Sequence, residues 1–354
     1  MSVFEKIDKL ASANARIRTA LADKGIDATD HGAEDFASDV SSIPKFDPDD
    51  YAFVIYKEND EYKRRYEYIG KSVTTLGVNV FRYDTSIISV VLPLTVTTLG
   101  QYCFEDCSNL ESVTTENVTT LSLRCFDGCV NLRELNCPNV NSSDSRIFNQ
   151  GWDATPFSLK RILLPKLQYI ADSMFRNLNS KGFPELEYVD IRSATVISGS
   201  AFRDDWSLNN VEFGDVSTIG EYAFSNTSLA GELNFPSLLS IEYGAFENTK
   251  ITKVKNLGSI TYLYNAFGGC SKLTFMRIPS TVVTLDNTVV YGTYDSSVTV
   301  ICMPDVPPEY KWNSLSGASV VYVPDESVDA YKAATGWSAI ASKIHPLSEY
   351  TGSD

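Results

Sequence analysis

Residues 96–113 read VTTLGQYCFEDCSNLESV, and the phenylalanine at their centre, Phe104, recurs along most of the chain. Phe81, Phe104, Phe126, Phe148, Phe175, Phe202, Phe224, Phe246 and Phe267 follow one another at steps of 23, 22, 22, 27, 27, 22, 22 and 21 residues. Five residues before most of them stands an aliphatic: Leu76, Leu99, Leu121, Ile170, Ile197, Ile219 and Ile241. Further apolar residues follow at fixed distances, as Leu110 and Val113 follow Phe104. A fixed period of this length marks a repeat array. One unit cannot close a core alone, but units stacked on one another bury a continuous one.

The segment ending each unit alternates apolar and polar, as in Leu132-Arg133-Glu134-Leu135-Asn136-Cys137. That is the period of a strand buried on one face. Proline follows at Pro93, Pro138, Pro236 and Pro279, because a residue without an N–H ends a ladder. Cys107, Cys129 and Cys270 share the slot three residues after Phe, which reads as a small buried core position. Cys103/Cys107 and Cys125/Cys129 could instead offer four thiolates to zinc, but the repeat explains them without a metal, so neither metal nor cofactor is expected. The two 27-residue units carry Gly/Pro/polar insertions around residues 151–156 and 179–184, expected as loops near Trp152 and Phe183. Ser143 stands where an aliphatic is due, and before Phe267 the pattern slips to Tyr262/Leu263, so irregular turns are expected there.

Residues 96–113, with TIGEYAF at 218–224 and SIEYGAF at 240–246, resemble BspA-type leucine-rich repeats, and the resemblance covers roughly residues 70–303. It implies a right-handed solenoid used for adhesion and for protein or glycan binding, not catalysis. The expected fold is α+β, mostly β: a right-handed leucine-rich-repeat solenoid with an N-terminal helical segment and a C-terminal β-α cap.

The ends read differently. Val3, Ile7, Leu10, Ala13, Ile17, Ala20 and Leu21 fall on one helical face, with Gly25 as a stop. Residues 17–26 and 35–43 resemble N-terminal segments of tailed-phage virion proteins, in which that part attaches to the particle. The resemblance makes residues 1–45 an attachment segment, with Ile7, Leu10, Ile17 and Leu21 as candidate contacts to other virion proteins. Residues 46–70 read as an acidic linker and a β-hairpin able to cover the first repeat, residues 71–303 as the solenoid, and residues 304–354 as a capping unit. In the cap a strand at 320–323 precedes a helix beginning near 325–327 and a last segment at 343–346.

Thirty Lys and Arg against 45 Asp and Glu leave a net charge of −15 among 354 residues. A field of that sign repels nucleic acid and anionic membrane surfaces, and no apolar run approaches the ~20 residues of a membrane span. The first ten residues carry charges where a secretory signal has its apolar core, so synthesis and assembly in a bacterial cytoplasm are expected. Only His31 and His345 could act as histidine bases, and neither adjoins a nucleophile in a recognisable context. No enzyme is expected. Three non-catalytic readings result: first a virion protein presenting its repeats to a host surface, then a bacterial cell-surface adhesin, then a cytosolic interaction module. A homo-oligomer is left open.

Recognition is expected on the outward face of the repeat strands, at the residues eight and ten after Phe in the regular units and at their counterparts where the spacing differs. These are Glu134 and Asn136, Arg161 and Leu163, Tyr188 and Asp190, Asn210 and Glu212, Glu232 and Asn234, Lys253 and Lys255, and Phe275 and Arg277. Tyr188 and Phe275 among clustered amides and carboxylates suit a host surface protein or glycan.

Overall fold

The computed structural model describes residues 51–59, 61–70, 72–148, 156–176, 183–287, 289–290 and 298–352. The expected N-terminal helix with Ile7, Leu10, Ile17 and Leu21 lies outside these, as does Trp152. The fold is a mostly-β parallel solenoid, divided by its contacts into one compact unit up to residue 149 with residues 157–159, and a second made of the remainder.

In the first unit the repeats supply a short strand before the Phe and a second strand after it. Thr75–Leu76, Thr98–Leu99, Thr120–Leu121 and Ser142–Ser143 form one parallel sheet, with Leu76, Leu99 and Leu121 in register. Ser143 pairs with Leu121, so the missing aliphatic leaves the ladder intact. On the other side Ile87–Val91 pairs in parallel with Ser112–Val113. Its remaining edge is taken by Tyr51–Glu58, antiparallel, itself one strand of a hairpin with Glu61–Tyr68. Ala52, Phe53, Val54 and Ile55 are buried there, and the hairpin covers an edge that would otherwise invite pairing.

The second unit repeats the plan. Its longer strands form two parallel sheets: one contains Arg161–Leu163, Tyr188–Ile191 and Asn210–Phe213, the other runs from Ala230–Asn234 through Lys250–Asn256, Phe275–Ile278, Val298–Cys302 and Ala318–Val323 to Ile344–Pro346. The short strands are likewise divided. Tyr169–Ile170, Val196–Ile197, Thr218–Ile219 and Ser240–Ile241 form one sheet; Tyr262–Tyr264, Thr284–Asp286 and Glu309–Tyr310 form another.

The phenylalanines make the core continuous. In the first unit Phe81, Phe104 and Phe126 stack with ring centroids 5.3 and 5.7 Å apart and planes within 8°. In the second, Phe175, Phe202, Phe224, Phe246 and Phe267 stack at 5.3 to 5.6 Å. Around Phe81, Phe104, Phe126, Phe202, Phe224, Phe246 and Phe267 the chain bends through two left-handed residues placed two before and two after the Phe, for example Tyr222 (φ 55°) and Asn226 (φ 59°) around Phe224. Asn and Asp tolerate that conformation best among side-chain-bearing residues. At the second position they also link the turns: Asn226 Nδ2 donates to Asp204 Oδ1 at 2.7 Å, and Asn248 Nδ2 to Asn226 Oδ1 at 2.9 Å.

At the C-terminus the strand Ala318–Val323 leads through a 3-10 turn, Asp325–Ser327, into a helix at Val328–Ala333. The chain then returns through Trp337–Lys343 to Ile344–Pro346, which pairs in parallel with Ala318–Val323. Tyr331 and Trp337 are fully buried and meet edge-to-face at 4.7 Å. Their polar ends are satisfied by carbonyls of the preceding turn: Tyr331 Oη donates to Pro304 O, and Trp337 Nε1 to Pro308 O, both at 2.8 Å. A solenoid end needs such a plug, since the last turn has no successor to bury its apolar face.

Candidate recognition surface

The strands that carry the candidate residues pair in parallel, so their outward side chains stand in rows about 4.8 Å apart. Arg161, Tyr188 and Asn210 form one row of the second unit, and Leu163, Asp190 and Glu212 the next. Glu232, Lys253 and Phe275 align on the neighbouring sheet. Because the two sheets are separate, these rows do not join into one ladder. Glu134 and Asn136 belong to the first unit.

Local charge orders this face. Glu232 stands between Lys253 at 3.3 Å and Lys255 at 2.6 Å. The hydrogen bond from Lys255 holds its carboxyl below the usual carboxylate range. A bulge before Asn256 lets Lys255 reach the same carboxylate as Lys253. The Arg161 guanidinium lies 5.2 Å from the Tyr188 ring centroid, within cation–π range. Arg161, Asn210, Glu212, Glu232 and Asn234 are exposed, and Tyr188, Lys253, Lys255 and Arg277 half-buried.

Two expected members differ. Phe275 lies on the outward face but is only 6% exposed, with the Tyr350 ring 6.3 Å away. Tyr350 also meets Tyr322 at 5.2 Å. The C-terminal residues thus fold over this end of the sheet, a contact between segments 75 residues apart that strand alternation could not reveal. Asp190 is also 6% exposed; Arg192 closes on it, with Nη2 2.7 Å from Oδ2 and Nε 2.9 Å from Oδ1. Phe183, expected near a loop surface, is fully buried and packs against Phe175 at 6.1 Å.

The BspA-type leucine-rich-repeat region matches this chain in six copies, over residues 74–191 and 195–305. The chain belongs to that family. Among solved structures it is similar to a leucine-rich repeat protein from Bacteroides ovatus ATCC 8483, at 15% identity and a TM-score of 0.44, with 83% of this chain and 90% of that one covered. It is also similar to a leucine-rich cell surface protein from Faecalibacterium prausnitzii A2-165, at 17% identity and a TM-score of 0.30, covering 85% and 86%. No curated protein matches it.

This BspA-type chain holds its seven cysteines as buried free thiols. In the slot three residues after Phe the thiols do more than fill space. Cys107 Sγ donates to Phe81 O at 2.9 Å, Cys129 Sγ to Phe104 O at 3.0 Å and Cys270 Sγ to Phe246 O at 3.1 Å. Each satisfies a carbonyl of the preceding turn, a use of the thiol that repeat spacing did not disclose. Burial pushes Cys107 up to about 12 and Cys270 to about 11, so neither is a nucleophile at neutral pH. Among the described residues no group of three His, Cys, Asp or Glu is placed to hold a metal ion. His345 Nδ1 lies 3.2 Å from Glu349 on the surface.

Proposed function

We propose that this protein is a non-catalytic surface-recognition protein that uses the outward face of its longer strands to bind a host protein or glycan. The observation that carries the reading is the ordered polar face of the second unit, where Glu232 is held by Lys253 and Lys255 and Arg161 by Tyr188. Side chains held by their neighbours lose less conformational freedom on binding than free ones, which favours recognition. Family membership supports the same reading, because adhesion and ligand binding are what the resemblance implies.

The proposal places the protein at a bacterial surface. The virion-attachment reading depends on residues 1–45, which lie outside the described residues, and no comparison carries it. The test is binding of the full chain to arrayed glycans and immobilised surface proteins. Tyr188→Ala, Asn210→Ala and Glu232→Ala should each weaken the strongest interaction about tenfold or more, as central interface positions do, without lowering Tm. Wild-type binding by all three variants would remove the outward face as the site.

A further inference from the structure

The register slip before Phe267 has a structural consequence on the opposite side of the second unit. Along that side the short strands pair in succession, Val196–Ile197 with Thr218–Ile219 and Thr218–Ile219 with Ser240–Ile241. The next step, from Phe246 to Phe267, is 21 residues instead of 22. Ser240–Ile241 and Tyr262–Tyr264 then fall in separate sheets. Backbone bonds resume only on either side of the gap, from Ser259 N to Leu238 O at 2.8 Å and from Gly244 N to Asn265 O at 3.3 Å. An open cleft of about 320 Å³ is lined by residues of both strands.

Its lining is chemically one-sided. Tyr243, Tyr262 and Tyr264 supply aromatic surface, with Tyr243 and Tyr264 centroids 4.8 Å apart and Tyr262 and Tyr264 5.9 Å apart. Tyr262 is held in place by its hydroxyl, which donates to Asp286 Oδ2 at 2.8 Å, and its side is open, the residue being 44% exposed. Glu221 and Glu242 bring carboxylates, and Glu242 is oriented by accepting the Glu221 backbone N–H at 3.1 Å. Leu239, 66% exposed, adds an aliphatic rim. Among the described residues that line the cleft none is Lys, Arg or His. The aromatic faces and the carboxylates therefore attract the same kind of group, a cation, with no basic residue in the lining to compete for it.

We propose that this cleft binds the side chain of a lysine or arginine from an extended segment of a protein partner. Such a side chain has an aliphatic stem to lie on Leu239 and the rings, and a charged head for Glu221 and Glu242. The site is separate from the outward strand face, and neither depends on the other. The test titrates acetylated, amidated tri-arginine and tri-lysine peptides into the full chain by calorimetry, with tetraglycine and maltotriose as neutral probes.

The wild type should bind the cationic peptides and not tetraglycine. Tyr262→Ala and Glu242→Gln should each weaken that binding about tenfold or more, with Tm unchanged. Glu326→Gln, which removes an equal charge from an exposed residue of the C-terminal cap, should leave it unaltered; equal losses for Glu326→Gln and Glu242→Gln would show attraction to net charge alone and overturn the site. Cationic binding that survives both cleft substitutions, no cationic binding at all, or maltotriose binding in its place would each overturn it as well.

Discussion

Asp205 occupies the slot three residues after Phe202, where Phe104, Phe126 and Phe267 are followed by Cys and Phe224 and Phe246 by Thr. It is fully buried, and neither carboxylate oxygen has a hydrogen-bond partner. Burial, with Asp204 adding a smaller repulsion, raises its pKa well above the ordinary carboxylate range. The folded chain therefore keeps Asp205 protonated over a pH range in which the unfolded chain has released the proton. With more protons bound in the native state, stability falls as pH rises through that range, and it is greatest below the unfolded value. Asp205→Thr, which copies buried Thr227 and Thr249, should raise stability at pH 7 by about 1–3 kcal/mol. Denaturant unfolding at pH 4.5 and 7 checks this: the gain should be larger at the higher pH, and an equal gain at both would place the effect in packing. The thiols give a second expectation. Iodoacetamide at neutral pH should leave Cys107, Cys129 and Cys270 unmodified in the folded chain and alkylate them in denaturant, because burial raises all three thiols.

At the scale of the repeat unit, stacking distance decides which substitutions are tolerated. Phe224 is buried and stacks on Phe202 and Phe246, each at 5.3 Å. Truncating it removes contacts to two turns at once, so Phe224→Ala should cost about 3–5 kcal/mol in chemical unfolding. Gly220 is constrained by backbone rather than side chains. A Cβ there would stand 2.6 Å from Gly199 N and 2.7 Å from Ser198 C. Gly220→Ala should cost about 1–3 kcal/mol, since two backbones would have to separate, whereas substitutions at exposed Asn210 should change stability by less than about 0.5 kcal/mol. The Phe and aliphatic positions were legible because a ladder repeats its residue type at every turn. The hydrogen bonds between turns were not, because Asn226 and Asp204 meet only after the coil closes.

At the scale of the whole molecule, the cap bears on how unfolding begins. In a repeat stack stability is a sum over neighbouring turns, so a weakened end frays before the interior. Trp337→Ala empties the site between Tyr310 and Tyr331, whose rings lie 4.9 and 4.7 Å from it, and orphans Pro308 O. Hydrogen exchange should then accelerate first in residues 298–323, with protection at residues 196–241 retained. Uniform acceleration along the chain would mean that the second unit unfolds as one cooperative body.

The sequence by itself determined the repeat, its register, the inward residues of each turn and the mostly β character, because each follows from a side-chain pattern recurring at 22 residues or close to it. It also marked the slip before Phe267 as irregular. Only the tertiary structure decided what accompanies that slip: the two short strands fall in separate sheets, and a cleft that both help to line carries Tyr243, Tyr262 and Tyr264. The same holds for Phe275, which alternation turned outward and which Tyr350, 75 residues later, covers. Periodicity states which way a side chain points; what meets it there depends on chain far away in sequence, brought close only by folding.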